Sequence, residues 1–141
     1  MQIHTFSAGT VERKGNILKI VYSKEESITL QDMQEITAIR KELFGENKYC
    51  SLIDLTKDLL VLTPEAKKFA STNPNIKQLR IAEVLLVKNF AQKLGVQTYV
   101  KLFRSKDRIK VMTEEEHAAN WLEKEYKRYF ELQLKKSGKH A

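Results

Sequence analysis

Cysteine is nearly absent from this chain of 141 residues: Cys50 stands alone. One thiol makes no internal disulfide and no multi-cysteine metal site, so a packed core must hold the fold. Proline occurs twice, at Pro64 and Pro74, and the five glycines are scattered singly. That excludes a Pro/Gly-rich disordered chain and leaves no Gly-rich phosphate loop. The three histidines, His4, His117 and His140, show no His-x-x-x-His spacing, so zinc chemistry is not expected. No apolar run approaches the ~20 residues of a membrane-crossing helix. Nothing resembles a recognition helix, an RNA-stacking motif or a zinc finger. Met1-Gln2-Ile3-His4 lacks the basic patch and apolar core of a signal peptide, which makes a cytoplasmic location the expectation.

What is present describes a globular protein. Hydrophobic residues make up 42% and charged residues 30%, and the net charge is +7. The length fits one domain over residues 1–141, with 135–141 expected as a basic, untethered tail. The charge is uneven. Residues 88–110 hold seven Lys or Arg against one Asp, and 124–141 hold six against two Glu, while 111–123 hold four Glu and no base. Two basic segments joined into one patch would attract nonspecific anions or nucleic acid. A solvated face explains them as well, and nucleic acid is not the expected partner.

Apolar periodicity sets out the elements. Thr10 to Lys14 and Ile17 to Tyr22 flank Gly15-Asn16 as a hairpin, with Leu18, Ile20 and Tyr22 on the core face. Ile3 to Ser7 extends the first strand, with a break at Gly9. A helix follows on Leu30, Met33, Ile36 (or Thr37), Ile39 (or Arg40) and Leu43, capped by Thr29 and stopped at Gly45. Cys50 to Leu55 is a short strand. Thr63-Pro64 starts a helix that ends before Asn73-Pro74. Ile81 to Val87 reads as a strand buried on both faces. Asn89 caps a helix to about Arg104, and Ile109 to Met112 is a last strand. Thr113 and Glu116 fit a capping box for a final helix through Trp121 and Leu122 to about Leu134. The order is β-β-α-β-α-β-α-β-α, an α/β fold with a mixed, mostly parallel sheet and helices packed on it.

Ser51-Leu52-Ile53-Asp54-Leu55, Glu65-Ala66-Lys67, Ala82-Glu83-Val84-Leu85-Leu86-Val87, Leu102-Phe103 and the stretch from Thr113 to Leu122 follow one another in an order and spacing that resemble the STAS-like small α/β domains. The likeness runs from Thr10 to Trp121. It is strongest to an uncharacterised bacterial STAS/SEC14-like (SpoIIAA-like) family related to the anti-sigma-factor antagonists. The resemblance implies a regulatory module that acts by protein–protein contact. In the antagonists a serine at the start of the helix after the second core strand is phosphorylated. Here Pro64 takes that place, so the phosphoswitch does not carry over. Thr63 keeps a hydroxyl, which a cap already explains.

In an open α/β sheet, ligands gather at the carboxyl ends of the strands. That edge presents Asp54, Thr56, Lys57, Thr63, Asn89 and Thr113. A carboxylate such as Asp54 would orient a hydroxyl or a bound water, or simply accept from its own loop amides. No second carboxylate stands at ligand spacing, so neither a metal nor another cofactor is expected. Cys50 reads as a buried structural thiol. No catalytic residue is assigned, and an enzyme is the weakest class. Phe90, Ala91, Leu94, Val96, Tyr99, Val100, Leu102 and Phe103 spread widely around the 89–104 helix, where a one-sided helix needs only a stripe. Part of that surface would meet a second subunit, with Phe90, Tyr99 or Phe103 central to a homodimer, or an unidentified protein partner, or a small apolar or lipid-like ligand. A large cavity beside this helix would favour the ligand. Trp121, the single tryptophan, is expected to pack in the core so fully that Trp121→Ala nearly unfolds the protein.

Overall fold

The computed structural model describes residues 3–23, 25–57, 61–103 and 108–138, with 98–103 and 138 described by backbone alone. Six strands form one sheet in sequence order, β1 (Ile3–Phe6), β2 (Gly9–Lys14), β3 (Ile17–Tyr22), β4 (Tyr49–Asp54), β5 (Arg80–Leu86) and β6 (Ile109–Met112). The first three pair antiparallel and β3 to β6 pair parallel. The helices are α1 (Leu30–Phe44), α2 (Pro64–Thr72), α3 (Pro74–Leu79), α4 (Phe90–Phe103) and α5 (Glu115–Gly138).

Most expected elements are present, and the differences have local causes. Ile3–Phe6 is a strand of its own, folded back through Ser7-Ala8 to pair with β2. Asn73 ends α2 and at once caps α3, its side chain accepting from the Ile76 amide at 3.1 Å with Pro74 in the first turn. A proline read only as a stop signal is here also a start signal. Thr29 caps α1 as expected, and Asp32 makes the cap a full capping box, its carboxylate accepting from the Thr29 amide at 2.9 Å while the Thr29 hydroxyl accepts from the Asp32 amide at 3.2 Å. The box expected at Thr113 is not: α5 begins at Glu115, and the Glu114 carboxylate meets His117 at 3.0 Å instead. The last helix runs on to Gly138, so residues 135–138 continue it, and 139–141 lie outside the described residues.

The β2–β3 turn is two residues long, with Gly15 at φ 59° and no positive φ at Asn16, the pattern of a type II′ hairpin. Gly9 is required for a different reason. A Cβ there would lie 1.9 Å from the Val21 carbonyl oxygen across the β2–β3 ladder. Gly9→Ala is expected to destabilise the protein by roughly 2–3 kcal/mol, because backbone and not a flexible side chain must yield. Urea midpoints measure this, and a loss under about 0.5 kcal/mol would mean that the strand re-registers freely.

Strand order explains the layers. When parallel strands are laid down one after another in the same direction, crossovers of one hand put every connecting helix on the same face. That face carries α1 to α4 over a core of Val11, Leu18, Ile20, Tyr22, Ile28, Ile36, Phe44, Leu85 and Val111. Among the described residues the opposite face is left to α5, which buries Ala118 and Leu122 against Ile17, Cys50, Leu52, Ala82, Val84 and Leu86. Ala82 to Val87 are all buried, as a strand covered on both faces requires. Trp121 is only half-buried at the margin of this second core, with the Lys110 ammonium 5.0 Å from its ring. The fully buried side chain is its neighbour Leu122, so the closing role expected of Trp121 belongs to Leu122.

Candidate functional site

A cavity of about 680 Å³ lies between the sheet and the helices of the four-helix face. Its volume falls within the ~300–1,000 Å³ usual for small-molecule sites. The floor is Leu18, Ile20 and Tyr22 of β3, Tyr49, Ser51 and Ile53 of β4, and Glu83 and Leu85 of β5. The roof is Met33, Ile36, Thr37 and Arg40 of α1, Lys67 and Ala70 of α2, Ile76 of α3, and Ala91, Gln92, Gly95 and Val96 of α4. Alternation along the strands directs one side-chain row of each strand into this space and the other toward α5. Val61, 64% exposed, stands at the carboxyl edge with Leu55 and Leu62. There the loops after β3 and β4 are joined by hydrogen bonds from the Ile28 amide to the Val61 carbonyl and from the Thr63 amide to the Ile28 carbonyl, at 2.8 and 3.0 Å.

One end of the cavity is polar. Tyr49 and Arg80 are register partners at the amino ends of β4 and β5, and Ser51 and Glu83 follow as the next such pair. The Ser51 hydroxyl donates to Glu83 at 2.9 Å, and the Arg80 guanidinium stands 3.3 Å from the same carboxylate oxygen. Arg40 arrives from α1, whose buried stripe is Asp32, Ile36, Arg40 and Phe44 at intervals of four. Its guanidinium carbon lies 5.6 Å from the centre of the Tyr49 ring. Burial pushes the Tyr49 phenol up to about 12, against the opposing pull of Arg80 and Arg40, so the phenol stays protonated at neutral pH.

Sequence reasoning placed its candidates at the other edge. Asp54 accepts from the amide and hydroxyl of Thr56, at 2.9 and 2.6 Å, the local loop role. Thr63 caps α2 through the Ala66 amide at 3.2 Å, and Asn89 caps α4 through the Gln92 amide at 3.0 Å. Lys57 is exposed, and Phe90 is 68% exposed on the outward side of α4. The side chains of Tyr99 and Phe103 lie outside the described residues. None of the six described candidates lines the cavity; their neighbours Ala91, Gln92, Gly95 and Val96 do. A signal for the polar end was present, namely a charge inside each of two apolar patterns, Arg40 in the α1 stripe and Glu83 within Ile81 to Leu86. Such residues are almost never buried without a partner or a purpose.

The remaining candidates are structural. Cys50 is fully buried under α5, its thiol pushed up to about 12 chiefly by burial. Among the described residues no group of three His, Cys, Asp or Glu is placed to hold a metal ion. No helix in them is long and apolar enough to cross a membrane. Arg108, from the first basic segment, grips Glu125 of α5 with two nitrogens at 2.8 and 2.9 Å, so part of that charge is answered locally. Arg104 and Lys106 lie outside the described residues.

Comparison with known proteins agrees with this architecture. The structure is similar to the crystal structure of an uncharacterised protein from the DUF3478 family with a SpoIIAA-like fold, from Shewanella loihica PV-4. The TM-score is 0.54 at 16% identity, over 86% of this chain and 99% of that one. No curated protein matches the chain at a significant level. The STAS-like, SpoIIAA-like resemblance read from the sequence therefore holds for the fold, and a family model matching residues 11–127 places the chain in the family described as Domain of unknown function (DUF7793).

Proposed function

We propose that this protein is a non-catalytic binding module that takes one small, largely apolar molecule into the cavity between its sheet and α1 to α4. The cavity itself carries the reading: about 680 Å³ walled mainly by Leu, Ile, Val, Met and Tyr side chains. The cavity opens at the carboxyl edge, so in the free protein its largely apolar walls face water, and an apolar molecule that covered them would gain the free energy of that burial. Of the expectations drawn from the sequence, the ligand beside the 89–104 helix gains most support, because the inner side of α4 borders the cavity.

Gly95 provides the test. It lines the cavity, and a Cβ built on it meets nothing within 4 Å. Gly95→Leu therefore adds volume at the cavity wall, and on a helix it also gains roughly 0.8 kcal/mol of helical preference. The expected outcome is a melting temperature equal to or above wild type, with the affinity for a medium-chain alcohol such as decanol reduced tenfold or more in calorimetry. Wild-type binding should be one to one, with a negative heat-capacity change. Absence of saturable uptake by wild type, or undiminished uptake by the variant, would refute the proposal.

A second reading is favoured by the outward side of α4, where Phe90 and Leu94 are 68% and 50% exposed. Burial of these side chains against a second copy, or against a regulatory protein partner, would give the homodimer or protein–protein module expected from the sequence. A monomer mass by light scattering at high concentration excludes the homodimer.

A further inference from the structure

We infer that the ligand of this cavity is an amphiphile with an anionic head, a carboxylate on an apolar chain, and that Arg40 receives the head at the inner, polar end. The inference rests on the binding proposal above and adds to it the chemistry and direction of the ligand.

Arg40 is 2% exposed, at a position in the α1 stripe that packing alone would fill with an aliphatic residue. One hydrogen bond of its side chain is found, from Nη1 to the Gly45 carbonyl at 3.1 Å, and its Nε has no hydrogen-bond partner among the described residues. No carboxylate of the described residues lies within ion-pair distance of Arg40, and the one carboxylate among the described residues lining the cavity, Glu83, is engaged through Oε1 by Arg80 and Ser51. Tyr49, beneath the guanidinium, offers a ring face and a neutral phenol, not a counter-charge.

A buried guanidinium without a counter-ion is strongly unfavourable, and its five donors in a planar fork match a carboxylate. From the polar end the cavity leads past Ile36, Ile53 and Leu85 toward the exposed carboxyl edge at Val61. A chain laid along it keeps its tail on apolar walls while the head meets Arg40. Of the two other cations lining the cavity, Arg80 is engaged by Glu83, and Lys67, exposed on α2, is the competitor for the head group.

The test compares dodecanoate with dodecanol on the full chain, for wild type, Arg40→Met, Arg40→Lys and Lys67→Met. Wild type is expected to prefer the carboxylate by about tenfold or more, the effect of a charge-assisted bond in a dry site. In Arg40→Met the preference should vanish while dodecanol still binds; in Arg40→Lys part of it should survive; in Lys67→Met it should be unchanged. The ligand-free Arg40→Met variant should melt no lower than wild type, since a desolvated charge has been removed. Should the Arg40 variants fail to fold, wild type alone decides: its preference must disappear as dodecanoate is protonated at acidic pH. Equal affinity for the two ligands, or loss of preference in Lys67→Met and not in Arg40→Met, overturns the inference and leaves the cavity proposal standing. Failure of both ligands to bind overturns both.

Discussion

Leu122→Ala is expected to cost about 2–5 kcal/mol, while Trp121→Ala, one residue earlier, costs only about 1–2 kcal/mol. Leu122 is fully buried and sits with Ala118 in the contact between α5 and the sheet. That contact is the sole helical cover of its face among the described residues, so a cavity left there is not easily closed by neighbouring helices. The Leu122 carbonyl lies 3.6 Å from the Cys50 Sγ, which shows how closely α5 lies on β4. A total of ~5–15 kcal/mol for a domain of this size makes such a loss a shift on the order of 10 °C in melting temperature. Trp121 is half-buried, and its added contact is the Lys110 ammonium over the ring, worth ~0.5–1 kcal/mol. Thermal melts of the two variants side by side test the ranking. A larger drop for Trp121→Ala would mean that the indole, not the leucine, closes the second core.

The contrast between these two residues shows what was legible in the sequence. The periodicity located the final helix and placed Trp121 and Leu122 together on it. It did not say which of two adjacent side chains points straight at the sheet, because a rotation of 100° per residue leaves neighbours on a wide apolar stripe nearly equivalent. The same ambiguity hid Arg40: Ile39 and Arg40 both fit the α1 period, and the structure buries Arg40 and leaves Ile39 at the margin. The hairpin, the Thr29 cap and the Thr63-Pro64 and Asn89 helix starts were legible because each depends on a few residues close in sequence, whereas the Thr113 box and the restart at Asn73 depended on which of several adjacent residues opens the helix. The cavity was not, because its walls come from three strands and four helices, and only their spatial assembly leaves the space between them. The carboxyl-edge rule pointed to Asp54 and Thr56, which serve their own loop, while the ion pair that lines the cavity, Arg80 and Glu83, sits in the amino-terminal half of β5.

Stability should fall steeply at alkaline pH, by several kcal/mol between pH 9 and pH 12. Tyr49 and Cys50 adjoin in β4 and point to opposite faces, each into a core. Burial raises the phenol from 10.0 and the thiol from 9.0, both to about 12. Both groups are neutral when protonated, so the folded state keeps its proton at pH values where the unfolded chain has released it. Between the two pKa values the unfolded state therefore binds fewer protons, and stability declines as pH rises. It is intact below about pH 9, falls first through Cys50 and then, above pH 10, through Tyr49 as well. Each group contributes a loss on the order of 2–4 kcal/mol by pH 12. Lys19 adds to the decline with the same sign: burial, the largest single influence, lowers its pKa, but the Glu115 hydrogen bond and charge together with the charges of Asp54 and Glu12 raise it on balance, and the Glu115 pair is lost as the ammonium deprotonates. Denaturant midpoints from neutral to alkaline pH should trace the fall, and Cys50→Ala should make it shallower from about pH 9 upward. Phenolate absorbance gives an independent view, since Tyr49, one of five tyrosines, should ionise only as the protein unfolds. A stability profile flat to pH 11, or full tyrosine ionisation in the folded protein, would show that water reaches β4 from the cavity side and that the Tyr49 end of the cavity is open.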